Sequence, residues 1–368
     1  MGPEWTGEPD KQHASPTEEG RGVGGRAKAK ADALREVLFP APPEADLSDV
    51  EQAVYPREIQ WPDIALLEVE RTIQATSAWR APGPDGIPNG VLEHAATTLV
   101  SVLTALFNAC LQQEHYPTHF RRSITLALRK PGKDDYTIPK SYRPIALTNT
   151  IGKVLEAVIA RRLSYLVERY DLLPDSHIGG RRGRSTEHAI HLLVGEVYST
   201  WGAAGYRVGT LLQLDISGAF DNVSHTSLLH NPRERCIGGR VHGWIKSFLT
   251  GRTTTLRLND GTERSFPTPT GIPQGSCLSP ILYLFYNASL LDACTSGSEG
   301  ISPIGYIDDI NIYVASSSTE ENCRRIKAIH SKAEEWARKH ASLFAPNKYE
   351  LIHFTRNPAR FNVSKALR

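Results

Sequence analysis

The spacing of apolar residues predicts alternating helices and strands through most of the chain. Apolar side chains at three- and four-residue steps predict helices between 62 and 107, over 152–170, after Ser185, over 281–291 and over 319–343. Short apolar runs predict strands over 123–128, 208–214 and 349–354, and hairpins over 253–268 and 304–315. We therefore expect an α+β protein in which helices cover an antiparallel sheet.

Composition excludes several classes of protein. Hydrophobic residues make up 40% and charged residues 22% of the 368 residues, as in ordinary globular domains. The richest apolar run, 278–291, contains polar residues and a proline and stops at Asp292, so we expect no membrane span. The N-terminus lacks the apolar core of a signal peptide, and the five cysteines form no C-x-x-C pair. These features predict an intracellular protein with free thiols.

Positive charge is concentrated in one part of the chain. Residues 121–184 hold fourteen Lys or Arg against six Asp or Glu, a local charge of +8, whereas the whole chain carries +2. The remainder is therefore acidic. A basic face beside an acidic remainder is typical of a protein that follows a nucleic-acid backbone and holds metal ions with carboxylates. A solvated charged surface is the alternative interpretation.

Three acids stand at the ends of predicted strands. Asp215 follows the strand 208–214, and Asp308 and Asp309 occupy the turn of the hairpin 304–315. If these strands are neighbours, three carboxylates meet, and such a cluster needs a cation to be stable. Oxygen ligands favour Mg²⁺ or Mn²⁺ over Zn²⁺, and two such ions are the usual arrangement for in-line phosphoryl transfer. An Asp-Asp pair alone is better explained by turn chemistry, because Asp is a preferred turn residue.

Several segments resemble the motifs of reverse transcriptases, in the same order. The sequences LDISGAFDN (214–222), GIPQGSCLSP (271–280) and YIDD (306–309) resemble the three catalytic motifs of these enzymes. Residues 81–86, 128–133, 141–147 and 179–186 are similar to segments of non-LTR (LINE-type) retrotransposon polymerases. Residues 337–356 look most like the Tad-type elements of filamentous fungi. The resemblance covers most of the chain.

This resemblance implies the fingers and palm of a right-hand polymerase, in which an antiparallel palm sheet carries the acids and helices lie behind it. We expect a disordered lead-in over 1–45 with at most a short helix over 29–38, and then a helical extension to the fingers over 46–120. The fingers are expected over 121–205 with part of the region between the first two catalytic motifs, and the palm over 206–356. Only the start of a thumb is expected, over 357–368, so the chain is interpreted as a fragment.

The resemblance also implies a metal and nucleotide site. Asp215, Asp308 and the backbone carbonyl of Ile216 would bind two Mg²⁺ ions, with Asp309 in support and Mn²⁺ as an alternative metal. Residues expected to contact the incoming nucleotide are Lys130, Arg143, Phe220, Gln274, Gly275 and Lys348. Lys130 and Arg143 would neutralise the triphosphate, and Lys348 would protonate the leaving pyrophosphate. Phe220 would exclude a ribose 2′-hydroxyl, so the product should be DNA.

For each of these side chains a structural role is the alternative. Phe220 would then be a core aromatic, Gln274 and Gly275 part of an ordinary turn, and Lys348 a surface lysine. The resemblance further implies that Arg181, Arg182 and Arg184 hold template phosphates, so that binding would weaken with salt.

The implied activity is RNA-directed DNA synthesis from an RNA template, a DNA primer and deoxynucleoside triphosphates, and nuclear localisation is expected from the habit of such elements. Pro232 lies where a helix should continue, and no endonuclease, Cys/His knuckle or RNase H segment is recognisable. The main alternative is therefore a catalytically silent remnant that at most binds RNA. A third is a group II intron maturase or an RNA-dependent RNA polymerase, which Phe220 and residues 337–356 disfavour.

Overall fold

Two four-stranded sheets organise the part of the chain that the computed structural model describes, residues 20–41, 44–203, 208–258, 260–295 and 300–356. In chain order the helices are α1 (Gly20–Leu38), α2 (Ser48–Glu51), α3 (Leu66–Gln74), α4 (Asn89–His94), α5 (Ala96–Gln112), α6 (Thr150–Tyr170), α7 (Thr186–Gly202), α8 (His225–Glu234), α9 (Gly239–Leu249), α10 (Ser279–Thr295) and α11 (Thr319–Lys339). The strands are β1 (Arg122–Arg129), β2 (Tyr142–Thr148), β3 (Val208–Leu214), β4 (Thr253–Arg257), β5 (Glu263–Pro267), β6 (Ile301–Tyr306), β7 (Asp309–Ser316) and β8 (Glu350–Phe354).

The palm sheet has the strand order β6-β7-β3-β8, and all its pairs are antiparallel. Strand β3 lies in its interior, which explains why its residues are buried at nearly every position and read as one apolar run. Helix α10 lies behind this sheet, and Leu282, Leu284 and Phe285 on it are fully buried. The expected antiparallel palm with helices behind it is therefore confirmed.

The second sheet, the fingers sheet, has the order β2-β1-β4-β5. Strand β1 pairs antiparallel with β2 and parallel with β4, so the β4–β5 hairpin extends a sheet that begins more than a hundred residues earlier in the chain. This agrees with the expectation that part of the region between the first two catalytic motifs joins the fingers. Residue 259, in the predicted turn of this hairpin, lies outside the described residues.

The short helix predicted within the lead-in is present and is longer than expected. Helix α1 runs to Leu38, and Ala31, Leu34 and Leu38 are buried on one stripe against Tyr142 and Leu256. The three- and four-residue spacing of these apolar side chains is what a helix needs to bury one face. The short helix predicted over 29–38 is the second half of α1, and residues 1–19 lie outside the described part.

Pro232 does not interrupt α8. The helix begins at His225 and ends at Glu234, so the proline lies in its last turn and removes only one backbone hydrogen bond from a helix that is about to end. Among the described residues, no helix is long and apolar enough to cross a bilayer.

Candidate active site

The β6–β7 turn presents two carboxylates at one end of the palm sheet. Tyr306 pairs with Asp309, which leaves Ile307 and Asp308 at the tip of the turn. Ile307 has φ of +56°, a conformation that β-branched residues rarely adopt. The side-chain amide of Asn287 on α10 donates a 2.6 Å hydrogen bond to the Ile307 carbonyl. A buried amide therefore supports a strained turn directly before Asp308.

A second segment supports the same turn from the other side. Ile178 donates to the Gly305 carbonyl at 2.8 Å, and Gly305 donates to the Ser176 carbonyl at 2.9 Å. At Gly179 a Cβ atom would lie 2.6 Å from the Ile307 nitrogen, so a larger residue would collide with the turn backbone. Gly179, the first residue of the segment 179–186, thus permits close packing behind the acids.

The third acid follows the neighbouring strand. Asp215 directly follows β3, and its backbone carbonyl accepts a 2.9 Å hydrogen bond from the Ala345 amide. The Ser217 amide donates to the Leu343 carbonyl at 2.7 Å, so Ile216 and Phe344 form an isolated antiparallel bridge. The two hydrogen bonds of this bridge flank Ile216 and leave its own carbonyl out of the pairing. The Asp215 carboxylate accepts a 2.8 Å hydrogen bond from the Lys348 ammonium. Asp215, Asp309 and Lys348 line the same open pocket.

The acids are close enough to influence one another's protonation. Burial raises the pKa of Asp308, and the carboxylates of Asp309 and Asp215 raise it further. Burial also raises the pKa of Asp309, again with a contribution from Asp215, whereas the Lys348 ammonium lowers it. The expectation that the strand ends bring the three acids together is met.

These residues fit a hard divalent cation. The donors are carboxylates, and Asp215 and Asp309 face one solvent-open pocket. No group of three or more His, Cys, Asp or Glu side chains within the described ranges is arranged to enclose an ion. Mg²⁺ does not need such a cage, because it is usually bound by one or two carboxylates, with waters and substrate phosphates as the other ligands.

Cations from both sheets meet beside the acids. Burial lowers the pKa of Lys130, and the nearby charges of Lys348, Arg143 and Lys133 lower it further. The Lys130 ammonium also donates to the Lys140 carbonyl at 3.1 Å. Two predicted triphosphate contacts on the fingers and the predicted proton donor on the palm therefore lie near one another. Such a cluster suits a polyanion.

Phe220 combines a structural and an exposed role. Its ring stacks on Tyr283 with centroids 4.9 Å apart and an interplanar angle of 14°. Tyr283 is fully buried in the core, whereas Phe220 is only partly buried at its edge. Phe220 can therefore serve both as a core aromatic and as the predicted sugar contact, because one face of its ring packs inward on Tyr283.

Gln274 joins the two sheets. Its carbonyl accepts a 2.6 Å hydrogen bond from Ala146 of β2, and its side-chain amide donates 2.9 Å to the Asp221 carboxylate. Gly275 has φ of +129°, and a Cβ atom there would lie 2.4 Å from the Ala146 carbonyl oxygen. Only glycine allows this close approach of loop and strand.

One of the three predicted phosphate contacts was wrong. The Arg181 side chain is 2% exposed and forms a two-pronged ion pair with Glu168, with distances of 2.9 and 2.8 Å. It also donates to the Pro174 carbonyl, so its donors serve the fold. Arg184 is partly exposed and pairs with Asp175, and Arg182 is exposed. Only Arg182 and Arg184 remain placed to reach a nucleic acid.

The sequence interpretation missed three residues that hold the site. Asp221 supports Gln274, Asn287 supports the turn of the acids, and Glu156 accepts hydrogen bonds from Tyr116 and Ser276, both at 2.5 Å. Glu156 is fully buried, which raises its pKa. Two of these residues had a signal in the sequence. Glu156 is an acid in the middle of the amphipathic helix α6, and Asp221 is a second acid in the LDISGAFDN motif.

A palm sheet with carboxylates at the ends of neighbouring antiparallel strands, facing cations from a fingers sheet, defines a template-directed polymerase of the right-hand class. A family model described as reverse transcriptase (RNA-dependent DNA polymerase) matches residues 128–363. The chain belongs to this reverse transcriptase family.

Its relatives are proteins of mobile elements. The chain is 30% identical over 274 residues to the probable RNA-directed DNA polymerase from transposon X-element of Drosophila melanogaster, covering 74% of this chain. It is 27% identical over 278 residues to the RNA-directed DNA polymerase from mobile element jockey of the same species, again covering 74%. It is 26% identical over 291 residues to the Pol polyprotein of the type-1 retrotransposable element R1 of Bradysia coprophila, covering 79%.

These matches identify a reverse transcriptase domain of the non-LTR retrotransposon type. The chain spans 30%, 30% and 28% of the length of these three relatives, respectively.

Proposed function

We propose that this chain catalyses RNA-directed DNA synthesis, extending a DNA primer on an RNA template with deoxynucleoside triphosphates. The observation that carries this proposal is the convergence of Asp215, Asp308 and Asp309 beside a cluster of cations that includes Lys130 and Arg143. Carboxylates that hold divalent metals and cations that hold a triphosphate are the two parts that nucleotidyl transfer requires.

In this proposal the chain's own residues bind and orient the substrates. Lys130 and Arg143 neutralise the triphosphate, and Lys348, which lies near Lys130, protonates the leaving pyrophosphate. Phe220, fixed by its stack on Tyr283, lies under the sugar and excludes a 2′-hydroxyl. Gln274 and Gly275 contact the nucleotide, while Arg182 and Arg184 contact template phosphates and Arg181 holds the loop that carries them.

Divalent metal ions are general in the family, and we propose two Mg²⁺ ions, with Mn²⁺ as a substitute. The ions would be held by the carboxylates of Asp215, Asp308 and Asp309 and by the backbone carbonyl of Ile216. When bound, they would lower the pKa of the primer 3′-hydroxyl and neutralise the pyrophosphate.

Three finer assignments belong to the same proposal. The similarity of residues 337–356 to Tad-type fungal elements supports a place in that clade, and the habit of such elements supports nuclear localisation. The domain boundaries are proposed at 45, 120, 205 and 356, with the β4–β5 hairpin added to the fingers. The start of a thumb over 357–368 lies outside the described residues.

The first experiment is primer extension on poly(rA)/oligo(dT) with dTTP and MgCl₂. We expect extension by the parent and a loss of about a thousandfold or more in an Asp308→Asn, Asp309→Asn double variant, because metal ligands are lost while size is kept. Asp171→Asn is the matched control, since Asp171 is an exposed helix cap with φ of +50° that Asn also tolerates.

The outcome separates the two hypotheses for this chain. Extension by the parent and by Asp171→Asn, but not by the Asp308→Asn, Asp309→Asn double variant, establishes the activity. No extension by any of them, from protein that is folded by circular dichroism, would contradict it and leave the silent remnant, whose expected property is RNA binding that weakens with salt.

A further inference from the structure

The partly buried carboxylate of Asp221 lies at the junction between the catalytic motif of β3 and the Gln274 loop. Residues 220–223 and 271–274 are joined by two backbone hydrogen bonds, from Ile272 to Phe220 at 2.8 Å and from Gly271 to Val223 at 3.0 Å. At Gly271 a Cβ atom would lie 2.5 Å from the Asp221 carbonyl oxygen. The two segments are thus locked together, and Asp221 faces Gln274 across this contact.

The side-chain contact has a fixed polarity. An ionised carboxylate can only accept hydrogen bonds, so the group that Gln274 directs at Asp221 must be its NH₂. The distance from Gln274 Nε2 to Asp221 Oδ1 is 2.9 Å. Since the nitrogen and oxygen of an amide point in different directions, the Gln274 oxygen is left as an acceptor directed away from Asp221.

Other charges around Asp221 tie it to the nucleotide site. Lys130 lies near enough for its ammonium to lower the pKa of Asp221, and Arg252 lines the same cavity. Burial nevertheless raises the pKa of Asp221 to about 7. The carboxylate therefore changes its charge in the range in which polymerases are assayed. Once protonated, it could donate to the Gln274 oxygen and reverse the orientation of the amide.

We propose that Asp221 is a positioning residue for the incoming nucleotide, which fixes the orientation of the Gln274 amide so that its oxygen accepts a hydrogen bond from the nucleotide. Asp221 itself touches neither the substrate nor the metals in this role. The inference rests on the proposed function, because it assumes that Gln274 contacts a deoxynucleoside triphosphate.

The test separates nucleotide binding from chemistry. The Kd of dTTP is measured on a complex with poly(rA) and a dideoxy-terminated oligo(dT) primer in MgCl₂, between pH 6 and 8.5. Parent, Asp221→Asn and Asp221→Leu are compared, with Glu335→Gln on the surface of α11 as the control. Asn keeps an oxygen that can accept from Gln274, whereas Leu removes the acceptor and keeps the bulk.

We expect Asp221→Leu to weaken dTTP binding about tenfold at pH 8, as for the loss of one oriented hydrogen bond to a substrate. Asp221→Asn can both accept from and donate to Gln274, as the protonated carboxyl can, so it should bind dTTP about threefold more weakly than the parent at pH 8. The parent should lose affinity as the pH falls through about 7, and Asp221→Asn should not share this loss. Glu335→Gln should follow the parent throughout.

Two results would overturn the inference while the proposed function stands. One is dTTP binding by Asp221→Leu equal to that of the parent, and the other is the same pH dependence in parent and Asp221→Asn. If the folded parent binds no dTTP at any pH, the proposed function fails as well. This result is distinct from dTTP binding that is unchanged by substitution of Asp221.

A second measurement does not depend on activity. The side-chain amide signal of Gln274 in an NMR spectrum, assigned with Gln274→Glu, should titrate with a midpoint near pH 7 in the parent and not in Asp221→Asn. A signal that shifts equally in both proteins would show that Asp221 does not orient this amide.

Discussion

The ammonium of Lys348 lies 2.8 Å from Oδ1 of Asp215, so a cation on the segment before β8 neutralises an acid at the end of β3. The two residues are separated by most of the palm in sequence. Their contact means that a metal ion bound at Asp215 would compete with an internal positive charge. Both side chains are partly exposed, so the pair is expected to be weak and displaceable.

Lys348→Met should therefore reduce the Mg²⁺ concentration needed for half-maximal primer extension by about two- to fivefold, because one competitor for Asp215 is lost. If Lys348 also protonates pyrophosphate, kcat should fall at the same time. Lys348→Arg keeps the charge and should leave the Mg²⁺ requirement unchanged. An unaltered Mg²⁺ requirement in Lys348→Met would show that the ion pair does not compete with the metal.

Phe220→Ala should relax the choice of sugar. Removing the ring opens space under the sugar, and incorporation of rUTP relative to dTTP should rise by about tenfold or more. The ratio of kcat/KM for the two nucleotides measures this effect. Tyr283→Phe, which keeps the aromatic stack, should retain the parent's ratio. A ratio that is unchanged in Phe220→Ala would leave Phe220 only its core role.

Asn287→Leu should destabilise the turn of the acids. The substitution leaves the Ile307 carbonyl without its buried donor, at a cost of about 1–3 kcal/mol in the free energy of unfolding. Because Asp308 follows this residue directly, kcat for primer extension should fall more than KM rises. Equal denaturation midpoints for Asn287→Leu and the parent would contradict the proposed support.

Substitutions of the neighbouring residues Arg181 and Arg182 should affect different properties, stability for Arg181 and RNA binding for Arg182. Arg182→Ala should reduce the slope of log K against log salt for RNA binding by about 1, with little change in stability. Arg181→Ala should cost about 2 kcal/mol of unfolding free energy, because Glu168 loses two charged hydrogen bonds. Fluorescence anisotropy at several salt concentrations and urea denaturation distinguish them. A reduced salt slope in Arg181→Ala with unchanged stability would refute this assignment.

Acid should destabilise the fold through His177. Its side chain is fully buried, and burial lowers its pKa from 6.5 to about 3. Between these values the unfolded chain binds a proton that the folded chain does not, so stability falls as the pH decreases. At pH 5 the loss amounts to about 2 kcal/mol. Urea denaturation at pH 8 and pH 5 should show a smaller difference in His177→Leu than in the parent, and identical differences would contradict the prediction.

The sequence by itself determined the local elements and the location of the three acids. Strand β3 was predicted over the residues that form it, and the turn of Asp308 and Asp309 lies between β6 and β7 as expected. Hydrophobic periodicity is set by neighbours along the chain, so it can be read without knowing the fold. The ordered motifs likewise indicated the reverse transcriptase family before any contact was known.

Only the tertiary structure decided the partners of individual polar side chains. Arg181 and Arg182 are adjacent and chemically identical, yet one is buried against Glu168 and the other is exposed. The parallel pairing of β1 with β4 and the contact of Asp221 with Gln274 join residues far apart in the chain. Such contacts depend on how whole elements pack, and a carboxylate or guanidinium has the same appearance in the sequence whether it holds the fold together or faces a substrate.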